Sequence, residues 1–187
     1  MTDPVKSDLD EARRYWTLGR FALTLLVTSF VVFWIWIYAF APRNNPDRFE
    51  TTAYAEAAEP VCAAAQAQID ALPSGRTAHT PQERAVTVRL ATEITEQMVA
   101  DLKALAPLAA NQRDATTLGR WFEDWEDGYL VDRWRHVDRL ETATPETNDK
   151  DLAFVVQERV SGGFYTRRID GLANVNDMAS CHVPGDI

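Results

Sequence analysis

Hydrophobic and polar positions divide the chain sharply. Residues 21–40, FALTLLVTSFVVFWIWIYAF, run for twenty positions without a charge, bounded by Arg20 and by Ala41-Pro42-Arg43. That length spans a bilayer once as a helix. Tyr15 and Trp16 before the run, and Trp34, Trp36 and Tyr38 near its far end, have the spacing of interfacial aromatic belts. The rival expectation is a cleaved signal peptide, because Ala39-Phe40-Ala41 has the small-x-small form of a cleavage site. The run is longer than a signal core and rich in Trp and Phe, and Pro42 falls where the cut would be made, so an uncleaved anchor is expected.

Beyond the run the periodicity becomes helical. Pro42 and Pro46 around Asn44-Asn45 mark a linker over residues 42–50. Residues 51–72 are alanine-rich, with Val61, Cys62, Ala65, Ile69 and Leu72 at helical spacing and Pro60 either starting or kinking the helix. Thr80-Pro81-Gln82-Glu83 is a helix-start signal, and Ala91, Ile94, Met98, Leu102 and Leu105 carry that helix to about Ala106. A third helix is expected from a cap at Asp114 to about Leu140. Leu118, Phe122, Trp125 and Tyr129 mark one stripe, and Leu130, Trp134 and Val137 a rotated one, with Gly128 between them. A bend near Gly128 or a buried face wrapped around the helix accounts for the shift equally well. Residues 153–160 and 164–169 are β-branched and aromatic runs around Ser161-Gly162-Gly163, which predicts a hairpin lying on the helices. The expected class is therefore mainly α: an N-terminal transmembrane helix, then a bundle of about three helices with a small C-terminal β-hairpin. The divisions are a head over 1–20, the span over 21–41, the linker over 42–50 and an outer domain over 51–187. Within the head, Asp8, Asp10 and Glu11 after Ser7 predict a helix start near Asp8.

Charge adds an orientation. The head balances Lys6, Arg13, Arg14 and Arg20 against Asp3, Asp8, Asp10 and Glu11, so the net charge of -9 belongs wholly to the part after the span. Four basic residues precede the span and only Arg43 and Arg48 follow it closely, which predicts a cytoplasmic N-terminus and an extracytoplasmic outer domain. An acidic domain has little attraction for phosphate backbones, so nucleic acid is not an expected partner. Arginine outnumbers lysine 16 to 3, a usage typical of GC-rich bacterial genomes.

Candidate chemistry is sparse. The two cysteines, Cys62 and Cys181, both follow the span and are expected to bond to each other, since disulfides persist outside the cytoplasm. Asp132 and His136 stand i, i+4 and could meet a metal or a ligand on one helix face, but Asp-His pairs are commoner on solvated faces, and His182 with Asp186 near Cys181 is as weak a pair. No cofactor or metal is expected. Residues 121–141 interleave Trp121, Trp125, Tyr129 and Trp134 with acids and arginines. This is either a core face or a partner surface, given the weight of Trp, Tyr and Arg in interfaces. Thr24 and Thr28 form a small, weakly polar patch on the span, suited to packing against another membrane helix or to bonding back to their own carbonyls. The familiar hydrolase, zincin, nucleotide-binding and haem motifs are absent.

The arrangement N-D-M-x-S-C-x-x-P at residues 176–184 resembles the tails of uncharacterised single-pass membrane proteins of high-GC Gram-positive bacteria. The resemblance covers under a tenth of the chain and implies no activity. The function expected from the whole is a non-enzymatic accessory or scaffolding protein of a bacterial envelope or membrane complex, whose partners are the bilayer and other membrane or envelope proteins. The alternative is an extracytoplasmic small-molecule-binding or sensing domain, and an enzyme or thiol-disulfide protein is a third class.

Overall fold

The computed structural model describes residues 18–40, 45–156 and 164–185. The chain forms two compact units, divided after Asn44. The described part of the first is α1 (Leu18–Phe40), long and apolar enough to cross a membrane and with none of its apolar window buried. A signal sequence has the same properties. The head helix expected from Asp8 lies outside the described residues.

The second unit is helical, and no strand occurs among the described residues. α2 (Ala53–Asp70) begins before Pro60 and runs through it. It is followed by a 3-10 turn at Gly75–Thr77. α3 (Pro81–Ala104) starts as its sequence requires: Thr80 is extended, its hydroxyl accepts from the Glu83 N–H at 3.1 Å, and Pro81 opens the first turn. Glu83 reaches back to the N–H of His79 at 2.8 Å, so two exposed donors are satisfied reciprocally.

A 3-10 turn at Ala106–Leu108 leads into α4 (Gln112–Glu123). Its cap is Asn111, not Asp114 as the sequence predicts: the Asn111 side chain accepts from the Asp114 N–H at 2.9 Å. Asp114 is freed for another task, and its buried carboxylate accepts from the N–H of Glu50 at 3.0 Å. α4 continues without a break into a π-helical segment, Asp124–Leu130, and then α5 (Val131–Glu141). This resolves the rotated stripe. A π-turn takes up an extra residue, so Leu118, Trp125, Tyr129, Arg133, His136, Val137 and Leu140 all stay buried although their spacing departs from a single α period.

The predicted hairpin is overturned. Its second arm, and the turn of chain beyond it, form α6 (Tyr165–Val175), while residues 157–163 lie outside the description. Tyr165, Ile169, Leu172 and Ala173 are buried at helical spacing. A window ending at Ile169 holds too few of these positions to show the period, and its aromatic and β-branched content then favours a strand.

α3 packs on α2, α5 and the π segment, while α6 packs on the π segment and α4. The main core gathers residues of α2, α3, α4, the π segment and α6, and a smaller cluster of Ala85, Val88, Val137 and Leu140 closes the far side. The Cys62–Cys181 disulfide joins α2 to the tail across a sequence separation of 119, with both residues fully buried.

Candidate functional site

Three of the four aromatic residues expected to offer a partner surface are interior. Trp121, Trp125 and Tyr129 are each at most 2% exposed. They meet edge-to-face along one ladder, with Trp121 to Trp125 at 6.1 Å and Trp125 to Tyr129 at 5.4 Å, extended to Phe154 at 6.2 Å. The Trp121 indole N–H donates to the Ile169 carbonyl at 3.1 Å, which ties α4 to α6. Trp134 is half-buried against the smaller cluster. Trp121, Trp125 and Tyr129 are therefore core, and the π segment holds Trp125 and Tyr129 on the same inward side as Trp121.

The Asp132 and His136 pair is also interior. Asp132 accepts from the Tyr165 hydroxyl at 2.6 Å and from Arg135 at 2.7 Å. His136 packs against the Phe154 ring with centroids 5.5 Å apart, and its Nδ1 lies 3.5 Å from the Arg139 guanidinium. Beside them Arg133, 2% exposed, lays its guanidinium over Phe154 and Tyr129 and donates to Thr92 Oγ1 at 3.4 Å. This buried cluster cements α5, α6 and α3. The Asp132 carboxylate is occupied by structural donors, and no group of three metal-ligating side chains occurs among the described residues. His182 lies 4.0 Å from Asp170, and Asp186 is outside the described residues.

Asn176, Asp177, Met178, Ser180 and Cys181 of the tail arrangement each have a structural role. The Asn176 side chain accepts from the Phe49 N–H at 2.8 Å and donates to the carbonyls of Asp47 and Leu172, both at 3.0 Å. Asp177 takes a left-handed conformation, φ 60°, that ends α6 and lets the Met178 N–H reach the Ala173 carbonyl at 2.9 Å. Ser180 donates its N–H and hydroxyl to Glu59 at 3.0 and 2.6 Å, and Cys181 closes the disulfide. Arg113 adds a bond to the Pro46 carbonyl at 2.6 Å. Residues 45–50, expected to be a linker, are thus clasped to the rest of the second unit.

On α1, Thr24 bonds back to the Arg20 carbonyl at 2.9 Å, while Thr28 and Ser29 line an open apolar depression with Phe21, Leu25 and Val32.

Two of the grooves on the second unit carry charged groups of contrasting kinds. One, of about 570 Å³, lies between α2 and α3 over Val61, Ala64, Ile94 and Met98, with Glu93 and Asp101 as its charged groups. The other, of about 600 Å³, lies between α4 and α6 and brings Arg120, Arg167 and Arg168 together with Asp47, Glu123 and Asp124. Arg168 is forked onto Asp124, with Nε at 2.8 Å from Oδ2, and that bond raises the guanidinium pKa further above its ordinary value. Nothing in the spacing of the sequence announces this second groove, because its arginines come from distant segments, one of which reads as a strand. Compared with known protein families, curated proteins and solved structures, the chain matches none.

Proposed function

We propose that the protein is a single-pass, membrane-anchored accessory or scaffolding component of a bacterial envelope or membrane complex, non-enzymatic, that presents its outer unit to partners. The observation that carries this reading is α1. None of the apolar window within its 22-residue span is buried, and the second unit closes its own core without it. A bilayer is the environment that removes such a surface from water, at about 25 cal/mol per Å². The tail resembling those of single-pass membrane proteins belongs, on this reading, to the clasp that makes the outer unit rigid.

The basic residues before α1 favour a cytoplasmic N-terminus, and the buried Cys62–Cys181 bond favours an oxidising, extracytoplasmic compartment for the outer unit. Protease added to intact spheroplasts is expected to digest from the outer unit inward. Full protection of that unit would reverse the orientation. Cross-linking in native membranes before mild-detergent purification is expected to attach the chain to a distinct membrane or envelope protein, and recovery of monomer alone would overturn the accessory role.

A second reading, an extracytoplasmic small-molecule-binding or sensing domain, is favoured by one observation, the charged groove between α4 and α6.

A further inference from the structure

The α4–α6 groove differs from the other depressions of the outer unit in the cations it leaves open. Arg168 is committed to Asp124. The guanidinium groups of Arg120, from α4, and Arg167, from the first turn of α6, make no hydrogen bond or ion pair among the described residues, and both residues are exposed. The α2–α3 groove offers only carboxylates as charged groups, and the depression at the start of α3 is lined by both Arg84 and Asp149.

A guanidinium presents five donors in a planar fork that matches the two oxygens of a carboxylate or phosphate. Arg120 and Arg167 stand on different helices and line one groove, so an anion seated there has two forks to bind. The Arg168–Asp124 pair fixes α6 against the π segment, so the forks stand on a rigid base. Gly171 leaves the adjoining wall open, since a Cβ added there meets nothing within 4 Å. Asp47 and Glu123 on the same lining, within a domain of strongly negative net charge, repel extended polyanions. Selection therefore falls on a compact anionic group rather than on nucleic acid.

We infer that the α4–α6 groove binds the phosphate or carboxylate group of a small ligand through Arg120 and Arg167. The inference deepens the ligand-binding reading and does not depend on the accessory role. For a membrane-anchored protein the phosphate has two sources, a soluble compound and a lipid headgroup.

The test uses the full-length chain in nanodiscs. In zwitterionic discs, inorganic phosphate and succinate are titrated while the melting temperature of the outer unit is followed. In a second arm, discs containing phosphatidylglycerol are examined by native mass spectrometry for retained lipid. The expected result is saturable stabilisation or lipid retention in at least one arm, weakened at least about tenfold in R120Q/R167Q, as loss of forked charge-assisted bonds demands. The control Lys150→Gln, on an exposed turn away from the groove lining, is expected to match the native chain. Gly171→Trp, which fills the groove while keeping the arginines, is expected to weaken binding as well. A response to soluble anions identifies a soluble ligand, and a response to anionic lipid alone identifies a headgroup. Absence of saturable binding in both arms overturns the inference. Equal binding by R120Q/R167Q also overturns it, while leaving a ligand-binding domain in place.

Discussion

Gly128 shows how one position constrains the rest. It lies in the π segment under the ring of Tyr165, and a Cβ added there would come within 2.8 Å of that ring. Gly128→Ala is expected to destabilise the outer unit by about 1–3 kcal/mol, the usual cost of overpacking, read from the urea midpoint. Tyr165→Phe keeps the ring but removes the hydroxyl from buried Asp132, with an expected loss of about 1.5–3 kcal/mol for a bond to a charged group. Tyr54 makes a different prediction. It is 1% exposed, its hydroxyl reaches the Leu102 carbonyl at 3.4 Å, and burial raises its pKa well above the ordinary value of 10.0. Between the unfolded and folded pKa values the folded chain holds the proton and the unfolded chain loses it. Stability from this group is thus complete below about pH 10 and falls as pH rises beyond it. Urea unfolding between neutral and strongly alkaline pH is expected to show that fall, and Tyr54→Phe is expected to flatten it.

Among the elements, the π segment and the tail clasp carry the architecture. The helix signals at Thr80-Pro81 were legible because a cap, a proline at the first position and an acid at the third act locally. The stripe shift across Gly128 was visible too, but a bend, a wrapped face and a π-turn produce the same pattern along a line of letters. The first half of α6 reads as a strand because its helical period shows only once Leu172 and Ala173 are included. The clasp was legible only as a linker composition, since the bonds that Asn176 makes to Asp47 and Phe49 cross more than a hundred residues of chain. Asn176→Ala removes all of these bonds. Hydrogen exchange is expected to speed up at the Phe49 amide by about tenfold or more, given roughly 1 kcal/mol per lost bond, while the α3 amides stay protected. Equal acceleration throughout α3 would mean that the clasp belongs to the global fold rather than to the entry segment.

For the molecule as a whole, the disulfide is the long-range staple. Closing a loop of this length disfavours the unfolded chain by about 4–5 kcal/mol in the entropic account. Cys62→Ala with Cys181→Ala is therefore expected to lower the unfolding free energy by about that amount, measured by urea denaturation of the outer unit. The buried bond is also expected to survive mild thiol buffers that reduce exposed bridges, and ready reduction of the folded chain would favour a thiol-disulfide role instead. The aromatic segment once open to a surface role now belongs to the interior. On the accessory role proposed above, partner contacts fall at the grooves of this unit rather than at Trp121 and Trp125.

The sequence by itself determined the apolar span, the helical class, the main helix start and the pairing of the only two cysteines. Each rests on local periodicity, local capping chemistry or simple counting. Tertiary structure decided that Trp121, Trp125 and Tyr129 are core, that Asp132 is spent on Tyr165 and Arg135, that residues 45–50 are clasped, and that Arg120 and Arg167 face one groove. Those facts depend on which distant helices meet, and at which faces. A one-residue change of phase inside a helix redirects every side chain after it, and here the π segment makes that change.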